Sequence, residues 1–173
     1  MLNHLEAKKL LSKYDIPLEG IECSSLEQAK EKIKPGVPFF LKLVSSTEEA
    51  THKTEFGYVK KVADADELQQ AWSRMQETAR SHGHENIRFI LQQARTGHEV
   101  MIGAKRDPIF DFQIIFTPEG GKYAEIHAKA VPPSVRVGRI TTSEAREMIM
   151  EHILSPKITG ARGETPVDID SLA

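Results

Sequence analysis

Apolar residues recur at near-helical spacing at Leu2, Leu5, Leu10, Leu11 and Tyr14, which predicts an opening helix. Asn3 with Glu6 forms a capping box for it, and Pro17 follows its end. Ser24 with Glu27 predicts a second cap, and the inner face of that helix reads Leu26, Ala29, Ile33 before Pro35-Gly36 stops it. Val37 to Val44 (VPFFLKLV) is continuously apolar apart from one lysine and predicts a buried strand; Tyr58 to Ala63 predicts another. Asp64 and Asp66 then open a helix whose stripe is Leu68, Ala71, Trp72, Met75 and Ala79, with Gly83 as its stop.

The second half changes period. Ile87–Gln93, Glu99–Lys105, Phe110–Thr117 and Tyr123–Ala130 all read as strands, separated by Gly97, Asp107-Pro108 and Pro118-Glu119-Gly120-Gly121. Short turns between consecutive strands predict an antiparallel meander. Thr141 with Glu144 caps a helix running to about Leu154, with Ala145, Met148, Ile149 and His152 inward. The tail from Ser155 is polar, and its closing SLA reads as the start of another helix. The expected fold class is α+β, with two α+β lobes, a hinge near Gln92-Gln93-Ala94, and a small-molecule cleft between the lobes.

Composition narrows the function classes. At 173 residues with 39% apolar and 28% charged residues, the chain has the profile of a soluble globular protein. A net charge of −2 supplies no global field for nucleic acid or an anionic membrane, so neither is an expected partner. A single cysteine, Cys23, rules out an intrachain disulfide and suits a reducing compartment. The N-terminus reads as no signal peptide, and no run approaches the ~18 apolar residues of a membrane span, so a cytoplasmic location is expected.

The candidate chemistry lies in the loops and in one strand. Lys42 interrupts an apolar strand: either it sits at a sheet edge with its amine in solvent, or it aims a cation at a phosphate. His52 lies in a polar loop with Thr51, Lys53 and Thr54; it is a surface histidine or a neutral imidazole able to attack phosphorus. Glu119-Gly120-Gly121 is a hairpin turn or a place of close backbone approach to phosphate. Glu99 opens a strand. His82 and His84 flank a helix-ending glycine, and no metal site is expected there or elsewhere. His127 and His152 read as half-buried structural residues, and Trp72, Met75 and Met148 as core. Arg136 is exposed or phosphate-directed.

Taken in order, these stretches resemble the ATP-grasp domain of NDP-forming acyl-CoA synthetases, the group that includes acetate–CoA ligase (ADP-forming) and the β subunit of succinyl-CoA synthetase. EAKKLLSKYDIP resembles the opening helix. GVPFFLKLVS resembles the strand of the ATP-phosphate lysine, THKTEFGYV the histidine loop, and FILQQAR the adenine hinge. HEVMIGAKRDPIF resembles the E-x-x-x-G-x-x-x-D-x-x-F strand, and TPEGG the glycine loop. The resemblance implies ATP or ADP and Mg²⁺ as cofactors, and phosphoryl transfer to a phosphohistidine in making or using an acyl-CoA. It implies Lys42 on ATP phosphates, the backbone of Gln92, Gln93 and Ala94 on adenine, and Glu99 on ribose or the phosphate side. Gly120 and Gly121 fall in the glycine loop of the nucleotide site, and His52 is the phosphoryl carrier. A CoA-binding subunit or domain is the implied partner.

Three departures qualify that expectation. Tyr58 stands where the family's second loop glycine is found and should stiffen the loop. Asp111 stands where a glycine usually follows D-P-x-F. The E-x-N-P-L signature that helps hold Mg²⁺ is not in the sequence, so a second lobe lacking its last strands is expected. The readings are a portion of a longer ligase with little activity in isolation, a short nucleotide-binding form without catalysis, or a docking module. The expected organisation is an N-terminal helix at 1–17, a smaller α/β lobe at 18–92 and a partial strand-rich lobe at 93–173. An uncovered sheet edge makes a homodimer an expected partner arrangement.

Overall fold

The computed structural model describes residues 4–45, 56–120 and 129–173. The chain divides after Arg95 into two compact units.

In the first unit, α1 (His4–Leu11) precedes β1 (Ile21–Cys23), α2 (Leu26–Lys32), β2 (Phe39–Val44), β3 (Val59–Val62), α3 (Ala65–Ser81) and β4 (Arg88–Gln93). The strands form one antiparallel sheet in the order β1-β4-β2-β3. The stripe expected of α3 is buried as read: Leu68, Ala71, Trp72, Met75 and Ala79 lie in the core with Leu41, Leu43, Phe89 and Leu91. Trp72 stacks on Phe89 with ring centroids 3.8 Å apart. Asp64 caps α3 by accepting from the Asp66 and Glu67 N–H groups. The cap of α2 is shifted by one residue from the expected Ser24–Glu27. Ser25 accepts from the Gln28 N–H, and the Gln28 side-chain oxygen accepts from the N–H of Ser24, the residue before the N-cap.

In the second unit, β5 (Met101–Asp107), β6 (Asp111–Thr117) and β7 (Ser134–Val137) form an antiparallel sheet in that order; of the expected meander only the β5–β6 hairpin is found here, because the strand expected at Ile87–Gln93 is β4 of the first sheet. Helices α4 (Thr142–Glu151), α5 (Ser155–Ile158) and α6 (Ile169–Leu172) complete the unit. The capping box of Thr141 and Glu144 is present, and α4 buries Met148 and Ile149. The helix ends at Glu151 rather than at Leu154, because His152 turns to extended backbone. The tail is not a polar appendage: Ile158 is fully buried, and Val167, Ile169, Leu172 and Ala173 pack on the same core as Phe116. The strand expected at Tyr123–Ala130 falls largely outside the described residues, and its last two residues are in a turn. Among the described residues no helix is long and apolar enough to cross a membrane.

Candidate nucleotide site

Strand β2 alternates strictly, with Phe39, Leu41 and Leu43 buried and Phe40, Lys42 and Val44 half-buried on the other side. The buried set faces the helical layer, so Lys42 occupies the sheet face away from α2 and α3. It does not sit on an edge strand. β2 is interior, and Lys42 pairs with Val59 on one side and Ile90 on the other. The same face carries the neighbouring row of Lys61, Phe40 and Gln92. Lys42 and Gln92 are thus diagonal neighbours on adjacent strands, a separation that long side chains span.

Beyond β4 the backbone is held from both sides. The Ala94 N–H donates to the Pro38 carbonyl at 2.9 Å. Pro38 has no N–H, so it returns no ladder bond to the Ala94 carbonyl. Next along the chain, the Arg95 guanidinium grips Glu19 with two hydrogen bonds and holds that carboxyl below its ordinary range. By the alternation of an antiparallel strand, the polar backbone groups of Gln93 point the opposite way from those of Gln92 and Ala94, toward the β1 side past Ile21.

In the second unit, Glu99 precedes β5 instead of opening it, and is exposed. Gly120 lies against it: a Cβ on Gly120 would come within 2.9 Å of the Glu99 Cβ and 3.3 Å of its carbonyl carbon. The structure thus gives Gly120 a packing reason and brings two of the candidate residues together. Gly103 is different. A Cβ there would meet only the Ile115 Cβ, at an ordinary 3.9 Å, so nothing described requires glycine at this position. It sits in a row with Ile115 and Val135 across the sheet, on the face opposite Phe116 and beside the exposed Met101 and Val137.

Asp107 organises the β5–β6 turn. Its carboxylate accepts from the Phe110 and Ile109 N–H groups at 2.9 Å and from the Gln113 amide at 2.8 Å, and these bonds hold its pKa below the ordinary value. Asp111 closes the turn with φ of 70°, the left-handed conformation that suits glycine. Arg136 faces the helices rather than a ligand surface. It forms a fork with Glu151 at 2.6 and 2.7 Å, and this pairing keeps the glutamate below its ordinary pKa. His82 and His84 belong to a ring cluster with Phe56 and Tyr58. His52, Thr51, Thr54, Gly121 and His127 lie outside the described residues.

Three participants were not anticipated from the sequence. Arg95 and Glu19 pair across 76 residues, and Glu119 reads from the sequence as part of a hairpin turn or of a close backbone approach to phosphate, not as a paired buried charge. Glu119 is in fact 6% exposed and accepts from the Lys157 ammonium at 2.8 Å. A charged residue between buried Pro118 and the glycines is the one sequence signal for it.

The two antiparallel sheets, one bearing a lysine on the face away from α2 and α3 and the other a glycine in a row with Ile115 and Val135, define a domain of the ATP-grasp class. A family profile described as ATP-grasp domain matches residues 1–173, and the chain belongs to that family. It is 34% identical over 174 residues to the β subunit of ADP-forming acetate–CoA ligase I of Pyrococcus furiosus, a match spanning 97% of this chain and 72% of that subunit. It is 28% identical to the ADP-forming 4-hydroxybutyrate–CoA ligase of Nitrosopumilus maritimus, where it spans 24% of a longer chain. Among solved structures, a Pyrococcus horikoshii protein superposes with a TM-score of 0.80 at 30% identity, covering 99% of this chain and 72% of that one. The acetyl-CoA synthetase 1 of Ca. Korarchaeum cryptofilum, solved with coenzyme A and Mg-AMPPCP and with its phosphohistidine segment pointing towards the nucleotide binding site, superposes with a TM-score of 0.76. That match is at 29% identity over 99% of this chain and 73% of the other.

Proposed function

We propose that this chain is the ATP-binding portion of an NDP-forming acid–CoA ligase, serving phosphoryl transfer between ATP or ADP and a phosphohistidine as an acyl-CoA is formed or used. The observation that carries the reading is the place of Lys42, on an interior strand and on the sheet face that no helix of the core layer covers. The solved relative with Mg-AMPPCP supports a nucleotide as ligand. The row of Gly103 with Ile115 and Val135 supports it from the second unit, since a strand glycine that no described residue requires marks close approach of another group.

In this reading Lys42 neutralises phosphate charge, and the backbone of Gln92, Gln93 and Ala94 meets the base edge, which needs one donor and one acceptor. Glu99 binds ribose or orders the phosphate side, and Gly120 and Gly121 border the phosphates. His52 takes the phosphoryl group on a ring nitrogen and gives it up again. Phosphoryl transfer asks mainly for in-line positioning and charge neutralisation, which these residue types supply. Mg²⁺ reaches such sites bridging ATP phosphates. No group of three His, Cys, Asp or Glu among the described residues is placed to hold a metal, so no residue here is assigned to it. The partner is a CoA-binding subunit or domain. Relatives carry the matched region either as a separate β subunit or within a longer chain.

Calorimetric titration with ATP and Mg²⁺ tests the reading. Lys42→Met should raise Kd by about tenfold, the scale of one lost charge-assisted contact. Unchanged affinity in a folded variant overturns the assignment. A thermal-shift comparison of ATP, ADP, CoA and acetyl-CoA on the wild-type chain should show stabilisation by the nucleotides.

A further inference from the structure

We propose that the ion pair between the exposed Lys157 and the buried Glu119 is a positioning device for the nucleotide: it holds Gly120 against Glu99 and so sets the backbone that a nucleoside triphosphate meets in the second unit. The proposal rests on the ATP-binding reading and adds to it two residues that act through others.

Glu119 sits in a turn, where most polar residues would serve with their side chains in water. Instead its side chain is 8% exposed. A carboxylate out of water is strongly disfavoured unless it is paired. Its partner comes from 38 residues away, the Lys157 ammonium at 2.8 Å. Lys157 is held in place by its own short helix. Ser155 and Ile158 of α5 are buried, and the Ser155 N–H donates to the His152 carbonyl at 2.8 Å. On the other side, Pro118 is fully buried. One residue further, Gly120 meets Glu99 and the Val100 carbonyl so closely that no Cβ fits. The segment is therefore pinned at consecutive residues, by a side chain at 119 and by backbone contact at 120. Release of the first pin leaves the second without an anchor, because the glycine has no side chain of its own to hold it.

Affinity for AMPPCP with Mg²⁺, measured by calorimetry, tests this in the full chain alongside thermal unfolding. Lys157→Met should weaken binding by about tenfold, and Lys157→Arg should restore most of it, because the charge and reach return. Lys157→Met removes the ammonium from a buried carboxylate and lowers Tm, so a double variant, Lys157→Met with Glu119→Leu, separates folding from positioning. Replacing both charges with apolar groups recovers stability, yet binding should remain about tenfold weak. If the double variant folds and binds as the wild type does, the positioning role is overturned. If it binds as the wild type does while Lys42→Met binds weakly, the nucleotide reading stands without this device. If the wild-type chain itself does not bind the analogue, both fall.

Discussion

Gly120 packs so close to Glu99 that a Cβ on the glycine would stand 2.9 Å from that of the glutamate and 3.3 Å from its carbonyl carbon. Because the obstacle includes backbone, it cannot swing aside. Gly120→Ala should therefore cost about 1–3 kcal/mol, the usual scale of overpacking. Gly103→Ala is the control: its new Cβ meets only Ile115 at 3.9 Å, so stability should hold or rise slightly. If a base lies over that face, the same variant loses nucleotide affinity. Urea unfolding of both variants, read with ATP titration, decides the matter; equal midpoints for the two would contradict the packing argument.

Asp111 is the second glycine question, in reverse. It adopts φ of 70° where the resemblance places a glycine, and its ion pair with Arg106, at 3.6 Å, is between exposed groups. Such a pair adds little, whereas left-handed backbone disfavours any residue with a Cβ. Asp111→Gly should stabilise the chain by about 0.5–1 kcal/mol, a rise of roughly 1–4 °C in Tm for a chain of this size. A fall in Tm would show that the aspartate side chain contributes more than its visible contacts.

What was legible in the sequence was what is local. The α3 stripe and its Asp64 cap were read residue for residue, as was the box of Thr141 and Glu144, because helix period and caps are set within a few positions. The β5–β6 hairpin was legible because its turn is short, whereas the strand at Ile87–Gln93 joined the first sheet and not the expected meander. Lys42's setting was not, because β4, some fifty residues on, inserts between β1 and β2 and turns a plausible edge into an interior strand. Glu119 was missed for the same reason: nothing near it in the chain announces Lys157. Long-range pairing leaves a trace only in residue types that look out of place, and a glutamate in a glycine turn looks ordinary.

Tyr58 illustrates a departure from the family pattern that has become core. It is fully buried, its ring stacks on Phe56 at 5.6 Å and meets the edge of His84 at 5.6 Å, and its hydroxyl has no hydrogen-bond partner among the described residues. Burial pushes the phenol above its ordinary pKa, so it stays neutral. Tyr58→Phe removes an unsatisfied hydroxyl and should be neutral or stabilising by up to about 1 kcal/mol. Tyr58→Gly, the family's residue, should cost about 3–5 kcal/mol through the lost ring. Chemical denaturation of both measures the difference, and a Tyr58→Phe variant destabilised as much as Tyr58→Gly would mean the hydroxyl is bonded after all.

His152 makes folding sensitive to mild acid. It is 4% exposed, and burial lowers its pKa from the ordinary 6.5, opposed by the Pro132 carbonyl and by the charges of Glu119 and Glu151. Its Nδ1 accepts from the Leu154 N–H at 3.1 Å, a bond that a second ring proton would abolish. The unfolded chain thus binds this proton more readily than the folded one. Stability is fully present above about pH 6.5 and declines as pH falls below it, levelling once the folded form also titrates. One proton limits the slope to about 1.4 kcal/mol per pH unit. The carboxylates held low by partners other than His152, namely Asp107, Glu144 and Asp168, lose their contributions at more acid pH and cancel in a comparison of variants. His152→Gln should therefore be less stable than the wild type at pH 7.5, with the gap narrowing toward pH 5.5. Urea unfolding across that range measures the gap, and a constant difference between the two proteins would place the acid sensitivity elsewhere.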